Sequence, residues 1–215
     1  MILRVLEKCN QVKIKNLKIL VATDDQRIKK FVDAHNFKSI ITSKKCLTGT
    51  DRVAEVADNL SVDIFINVQG DEPLINANDI MRIIRAKKKY PNHVICGYKK
   101  MTKSEDPCNL NIPKVVFNKQ KELMYISRGI IPYSKNKKVM GKINYYKQVC
   151  IYAFNKNELK LFRSKNKGSI ERQEDIEIIR FLELNKKVLM VETKSNSHAV
   201  DTKGDIAKIE KYLKK

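Results

Sequence analysis

The chain has 215 residues, 42% of them hydrophobic, enough for one substantial core without disulfides or metal to hold it together. Its 44 Lys and Arg against 24 Asp and Glu give a net charge of +20. The basic residues are scattered, with no block longer than the three lysines at 87–89, so they read as a solvated surface that attracts phosphorylated small molecules rather than a nucleic-acid-binding stripe. Five separated cysteines (Cys9, Cys46, Cys96, Cys108, Cys150) form no CxxC pair, which argues against a disulfide framework or a zinc module. No apolar run approaches the about 20 residues of a bilayer span, and the first residues lack the order of a signal peptide, so a cytoplasmic location is expected.

Ile2, Val5, Leu6 and Cys9 recur at the i, i+3, i+4, i+7 spacing of an amphipathic helix, and 17–23 (LKILVAT) follows as an apolar, β-rich strand. Asp24 or Asp25 is placed to cap a helix carrying Ile28, Phe31 and Val32. A short strand at 37–42 and a helix at 49–60 come next, the latter with Val53, Val56, Ala57 and Leu60 on one face. Asp63 to Val68 reads as a buried strand, and 78–90 as a helix with Ile80, Ile83 and Ile84 inward and Pro91 just past its end. This alternation predicts an α/β fold with a largely parallel sheet, because parallel neighbours need crossover helices. After residue 92, closely spaced β-like runs at 93–101, 113–118, 122–128 and 147–154 predict an antiparallel or mixed extension. The last third reads as helix 171–184, strand 187–193 and helix 204–215. With no repeat or linker, residues 1–215 are expected to form a single domain.

The segment QGDEP (69–73) lies at the carboxyl end of the Asp63 strand, where ligands of open α/β sheets gather. Gly70 permits close backbone approach, Pro73 ends the ladder, and Asp71 is a suitable ligand for a hard cation such as Mg²⁺; a solvated turn is the plainer alternative. Asp201, in SHAVDTKGD, is a second candidate acid, although Asp201 or Thr202 also serves as a helix cap. LTGTDR (47–52) puts two hydroxyls, a glycine and an arginine at a helix start, where free N–H groups favour anions; Thr50 or Asp51 is equally placed as the N-cap. The three histidines have no metal-ligand spacing and no nucleophile elbow is present, so triad hydrolysis is not expected.

Taken in order, LKILVATDD, TGTDRVAE, INVQGDEPLI, NIPKVVFN, MYISRGIIPY, KQVCIYAF and HAVDTKGDI resemble the sugar-acid cytidylyltransferases, most nearly the 3-deoxy-manno-octulosonate cytidylyltransferase family, over nearly the whole chain. The resemblance implies a Rossmann-like nucleotidyltransferase fold, with a mixed, mainly parallel sheet flanked by helices and a smaller sugar-binding and dimerising portion. It implies cytidylyl transfer from CTP to the anomeric hydroxyl of a 3-deoxy-ulosonic acid, releasing pyrophosphate and feeding cell-surface glycan and lipopolysaccharide synthesis. It assigns Asp71 and Asp201 to Mg²⁺, Thr48, Gly49, Arg52 and Gln69 to the nucleotide, and Arg128, Gln148, Tyr152 and Glu177 to the sugar. A homodimer is implied, with no membrane or nucleic-acid partner.

Three departures stand out. The family's first strand and its phosphate-cradling loop, of the form A-R-x-x-S-x-R-L-P-x-K, have no counterpart here, and Met1 aligns with the helix that follows them. Gln148 stands where relatives usually carry histidine, and Ile178 where they often carry glutamine. The competing expectations are a truncated, inactive member or dimer partner, and a basic nucleic-acid-binding module.

Overall fold

The computed structural model describes residues 1–136, 143–194, 199–200 and 202–213. Helix α1 (Ile2–Asn10) leads into a parallel pair, β1 (Leu20–Thr23) and β2 (Lys38–Ile41), joined through the crossover helix α2 (Gln26–Ala34). Asp25, one of the two expected caps, accepts the Arg27 amide at the start of α2.

The larger sheet is organised around one long strand, β7 (Tyr146–Phe154). One edge of β7 pairs antiparallel with β4 (Val94–Lys100); the other pairs with β3 (Phe65–Val68) through Ile151 to Phe154 and touches β5 (Lys114–Phe117) at Lys147. Beyond β4 lies β8 (Val188–Glu192), parallel to it, and beyond β5 lies β6 (Leu123–Ser127), antiparallel. The mixed α/β architecture expected from the sequence is the one found, although among the described ladders only β1–β2 and β4–β8 are parallel and the other four are antiparallel. Among the described residues no ladder joins β1 and β2 to this sheet. Helix α3 (Gly49–Asp58) instead packs on both β1 and β3, while α1 sends Leu6 to Val21 and Val32 on one side and Val5 into the larger core.

Strand alternation divides the core. Val94, Cys96, Tyr98, Tyr152 and Phe154 face α3, α5 (Lys156–Arg163) and α7 (Ile179–Glu183); Ile95, Val149, Ile151 and Ala153 face α1 and α4 (Ala77–Lys89). The β4–β7 register slips between Cys96 and Gly97, where a Cβ on Gly97 would stand 2.9 Å from the Val149 carbonyl oxygen, a separation only glycine tolerates.

Two expectations need correction. The single helix expected over 171–184 is two, α6 (Ser169–Glu174) and α7, broken at Asp175, which adopts a left-handed φ of 49°. Helix α5 has no counterpart in the sequence reading; its signal is the capping box Asn155-x-x-Glu158, in which side chain and backbone bond reciprocally. The final helix is α8 (Lys203–Leu213).

Candidate active site

Period-two geometry aims the site residues. Phe65, Asn67 and Gln69 follow one face of β3, and Gln148, Cys150 and Tyr152 follow one face of β7. Both faces meet the start of α3 and the broken segment between α6 and α7. They enclose a cleft of about 440 Å³ lined by Thr48, Gly49, Gln69, Asp71, Arg128, Gln148, Tyr152 and Glu177 together with neighbours. Eight of the ten residues expected at the site, drawn from five separate segments, therefore share one cavity. Of the other two, Arg52 points elsewhere: its guanidinium reaches the Thr42 hydroxyl at 2.5 Å and the Asp24 carboxylate at 3.4 Å. Asp201 lies outside the described residues.

Thr48, rather than Thr50 or Asp51, is the N-cap of α3, because it is the residue with extended backbone; its hydroxyl accepts the Asp51 amide at 3.1 Å and donates to the Asp51 carboxylate at 2.9 Å. Glu177 closes the cleft from behind. Its carboxylate accepts the Thr50 amide at 2.8 Å and the Gln69 side-chain amide at 3.1 Å, tying the α3 start to the end of β3. Burial pushes the Glu177 carboxyl up, partly offset by these donors.

On the β7 side Gln148 donates to the Tyr152 hydroxyl at 3.1 Å, and burial raises the Tyr152 phenol well above its ordinary range, so it stays protonated. Among the described residues the Arg128 guanidinium is held by backbone carbonyls: Nε bonds Glu174 O at 2.7 Å, Nη1 bonds Leu110 O at 3.0 Å and Nη2 bonds Asp175 O at 3.0 Å. The ordinary surface salt bridge that residue type suggests is not what holds it.

The family model described as "Cytidylyltransferase" matches residues 1–194. The chain belongs to the cytidylyltransferase family. It is 35% identical, over 91% of its length and 74% of the relative's, to the 3-deoxy-manno-octulosonate cytidylyltransferase of Koribacter versatilis. With that of Thermodesulfovibrio yellowstonii it shares 37% identity over 91% of this chain and 81% of the relative. Among solved structures, that of CMP:2-keto-3-deoxy-manno-octonic acid synthetase complexed with CTP superposes with a TM-score of 0.88 at 30% identity, covering 99% of this chain and 86% of that one.

Within this cytidylyltransferase, two cleft-side features escaped the sequence reading. Lys167, in the loop SKNKGS, lines the cavity beside Arg128, and nothing in its neighbours marks it. Arg180 lies behind the cleft, buried between Glu171 and Asp51; an arginine amid the apolar run EIIRFL was the signal available. For a metal, Asp71 offers a hard oxygen donor at the cleft wall, and its backbone oxygen accepts the Val200 amide at 3.0 Å, which brings the chain position preceding Asp201 to Asp71. One carboxylate or two, completed by substrate phosphates, is the usual protein share of a Mg²⁺ site, so the residues present fit that ion.

Proposed function

We propose that the protein transfers the cytidylyl group of CTP to the anomeric hydroxyl of 3-deoxy-manno-octulosonate or a close ulosonic acid, giving the CMP-sugar and pyrophosphate for cell-surface glycan synthesis. The carrying observation is the convergence of Thr48, Gly49, Gln69 and Asp71 with Arg128, Gln148, Tyr152 and Glu177 on one cleft. The names of the relatives and the CTP bound in the superposed structure support the same reading.

In this mechanism the capped start of α3 presents backbone N–H groups and a positive dipole end to the nucleotide at Thr48 and Gly49. Glu177 holds that start and Gln69 in fixed relation, so their donors need no rearrangement when CTP binds. Arg128, its orientation set by three carbonyls, pairs with the carboxylate of the sugar acid, while Gln148 and Tyr152 bond its hydroxyls. Asp71 and Asp201 would hold Mg²⁺, which when bound offsets phosphate charge and makes the α-phosphorus more electrophilic. The protein's own contribution is alignment of the sugar hydroxyl with that phosphorus.

A homodimer and a cytoplasmic location belong to the same proposal. Met124, on the edge strand β6, is about two-thirds exposed, and pairing along that edge by a second copy would cover it. No helix among the described residues is long and apolar enough to cross a membrane.

The test is incubation of the protein with CTP, Mg²⁺ and 3-deoxy-manno-octulosonate, following pyrophosphate release and the CMP-sugar by mass spectrometry. Formation of both products is expected. Failure to bind or consume CTP with any 3-deoxy-ulosonic acid would overturn the proposal.

A further inference from the structure

Arg128 and Lys167 meet at one residue. The left-handed turn at Asp175 directs its carbonyl oxygen to Arg128 Nη2 at 3.0 Å and its carboxylate to Lys167 Nζ at 3.4 Å, so two cations converge on one rim of the cleft. Neither charge sits in a close, buried ion pair: the Glu174 carboxylate accepts the Arg128 backbone amide at 2.8 Å and acts on the guanidinium only at longer range. The Arg128 guanidinium gives three N–H bonds to neutral carbonyls, and no ion pair to it occurs among the described residues. The Lys167 partner is long and mostly in water: the Asp175 side chain is 75% exposed, against 20% for Lys167, and such a pair is readily exchanged for a better one.

The Lys167 backbone is fixed even though its ion pair is weak. Arg172 donates Nε and Nη2 to the Lys167 carbonyl at 3.0 and 2.6 Å, anchoring the loop and leaving the ammonium to reach the cavity from a set origin. A carboxylate has two oxygens and about four lone-pair directions, more than the remaining N–H bonds of Arg128 can fill.

We propose that Lys167 is a second ligand of the acceptor's carboxylate, acting with Arg128 to make the sugar subsite selective for an acid. This rests on the cytidylyl-transfer reading and deepens it. Arg128 presents a planar fork to one carboxylate oxygen or both, and Lys167 adds a compact charge from the side, displacing its contact with Asp175. A neutral sugar would gain nothing from Lys167.

The test is calorimetric titration of the full chain, as wild type, K167M and K167R, with 3-deoxy-manno-octulosonate, with its methyl ester and with CTP in Mg²⁺. K167M is expected to weaken the acid about tenfold, as loss of one charge-assisted hydrogen bond at a partly wet site should. K167R should stay within about threefold of wild type, since charge and reach are kept. CTP affinity should be the same in all three proteins, and the ester should bind wild type and K167M equally. Binding of the acid to K167M as tightly as to wild type, or an equal loss for the ester, would overturn the role of Lys167 alone. Wild type that binds CTP but no ulosonic acid would overturn the acceptor assignment, and the role of Lys167 with it.

Discussion

The Glu177 carboxylate accepts the Thr50 backbone amide at 2.8 Å, a bond that spans 127 residues of sequence and fixes the start of α3 against the break between α6 and α7. Only an acceptor serves here, because both partners, the Thr50 amide and the Gln69 side-chain amide, are donors. Burial raises the Glu177 carboxyl above its ordinary 4.5, so the acceptor is lost on acidification earlier than for an exposed glutamate. Turnover should therefore fall as pH drops through that raised value. E177Q turns an N–H toward one of the donors, and CTP affinity should decrease about tenfold or more, with the Glu177 contribution to the acid limb of the pH profile removed. Stability has the opposite sign: a raised carboxyl favours the folded state below its unfolded pKa and loses that contribution as pH rises through the folded one. Titration of CTP binding from pH 4 to 8 in both proteins, about the range over which such a shift is felt, checks the first claim.

Arg180 is the counterpart of Glu177 one turn along. Its Nε and Nη2 bond Glu171 at 2.7 Å each, Nη1 bonds Asp51 at 2.9 Å, and the guanidinium lies 3.7 Å over the Phe162 ring centre. R180M leaves a fully buried Glu171 and a largely buried Asp51 uncompensated, a change that costs about 3–5 kcal/mol. Urea denaturation should show that loss, and R180K, which keeps the charge but not the fork, should recover only part of it.

Local signals made the elements of this site legible, the apolar period-two strands and the amphipathic helix α3. Gln69, Gln148, Tyr152 and Thr48 were named by the family resemblance, and spacing alone offered Thr50 or Asp51 as the cap that Thr48 supplies. What failed was decided by distant partners. The run 171–184 is composed of good helix formers, yet Arg128 takes the carbonyls of Glu174 and Asp175 and Glu177 takes the Thr50 amide, so tertiary bonds break the helix that propensity favours. Arg52 shares the TGTDR motif with Thr48, but one helical turn carries it toward Asp24 and Thr42. Spacing along the chain does not report such pairings.

Asp71 carries the metal side of the proposal. D71N keeps size and polarity while removing the charge that a hard cation requires. Mg²⁺-dependent product formation should fall at least about a hundredfold, with an unchanged circular dichroism spectrum. Chelation of divalent ions should reduce the wild type to the same level, and Mn²⁺-induced relaxation of water protons should be strong with wild type and weak with D71N. Retained turnover in D71N would remove Asp71 from the metal site.

Far from the cleft, Lys87 and Glu158 form a buried ion pair at 2.6 Å that locks α4 to α5. The ammonium also donates to the Pro91 and His93 carbonyls at 2.9 and 2.7 Å, and Glu158 closes the capping box of α5, so each charge has several roles. Burial lowers the Lys87 pKa despite the nearby carboxylate, which identifies desolvation as the larger effect. K87M should therefore destabilise the protein by about 3–5 kcal/mol, mainly through the carboxylate it strands. E158Q combined with K87M neutralises that carboxylate while keeping a side chain able to accept the Asn155 amide, and part of the stability should return. Thermal unfolding of the two variants separates the cases: a double variant no more stable than K87M would mean that the lost bonds to Pro91 and His93, rather than the stranded charge, set the cost.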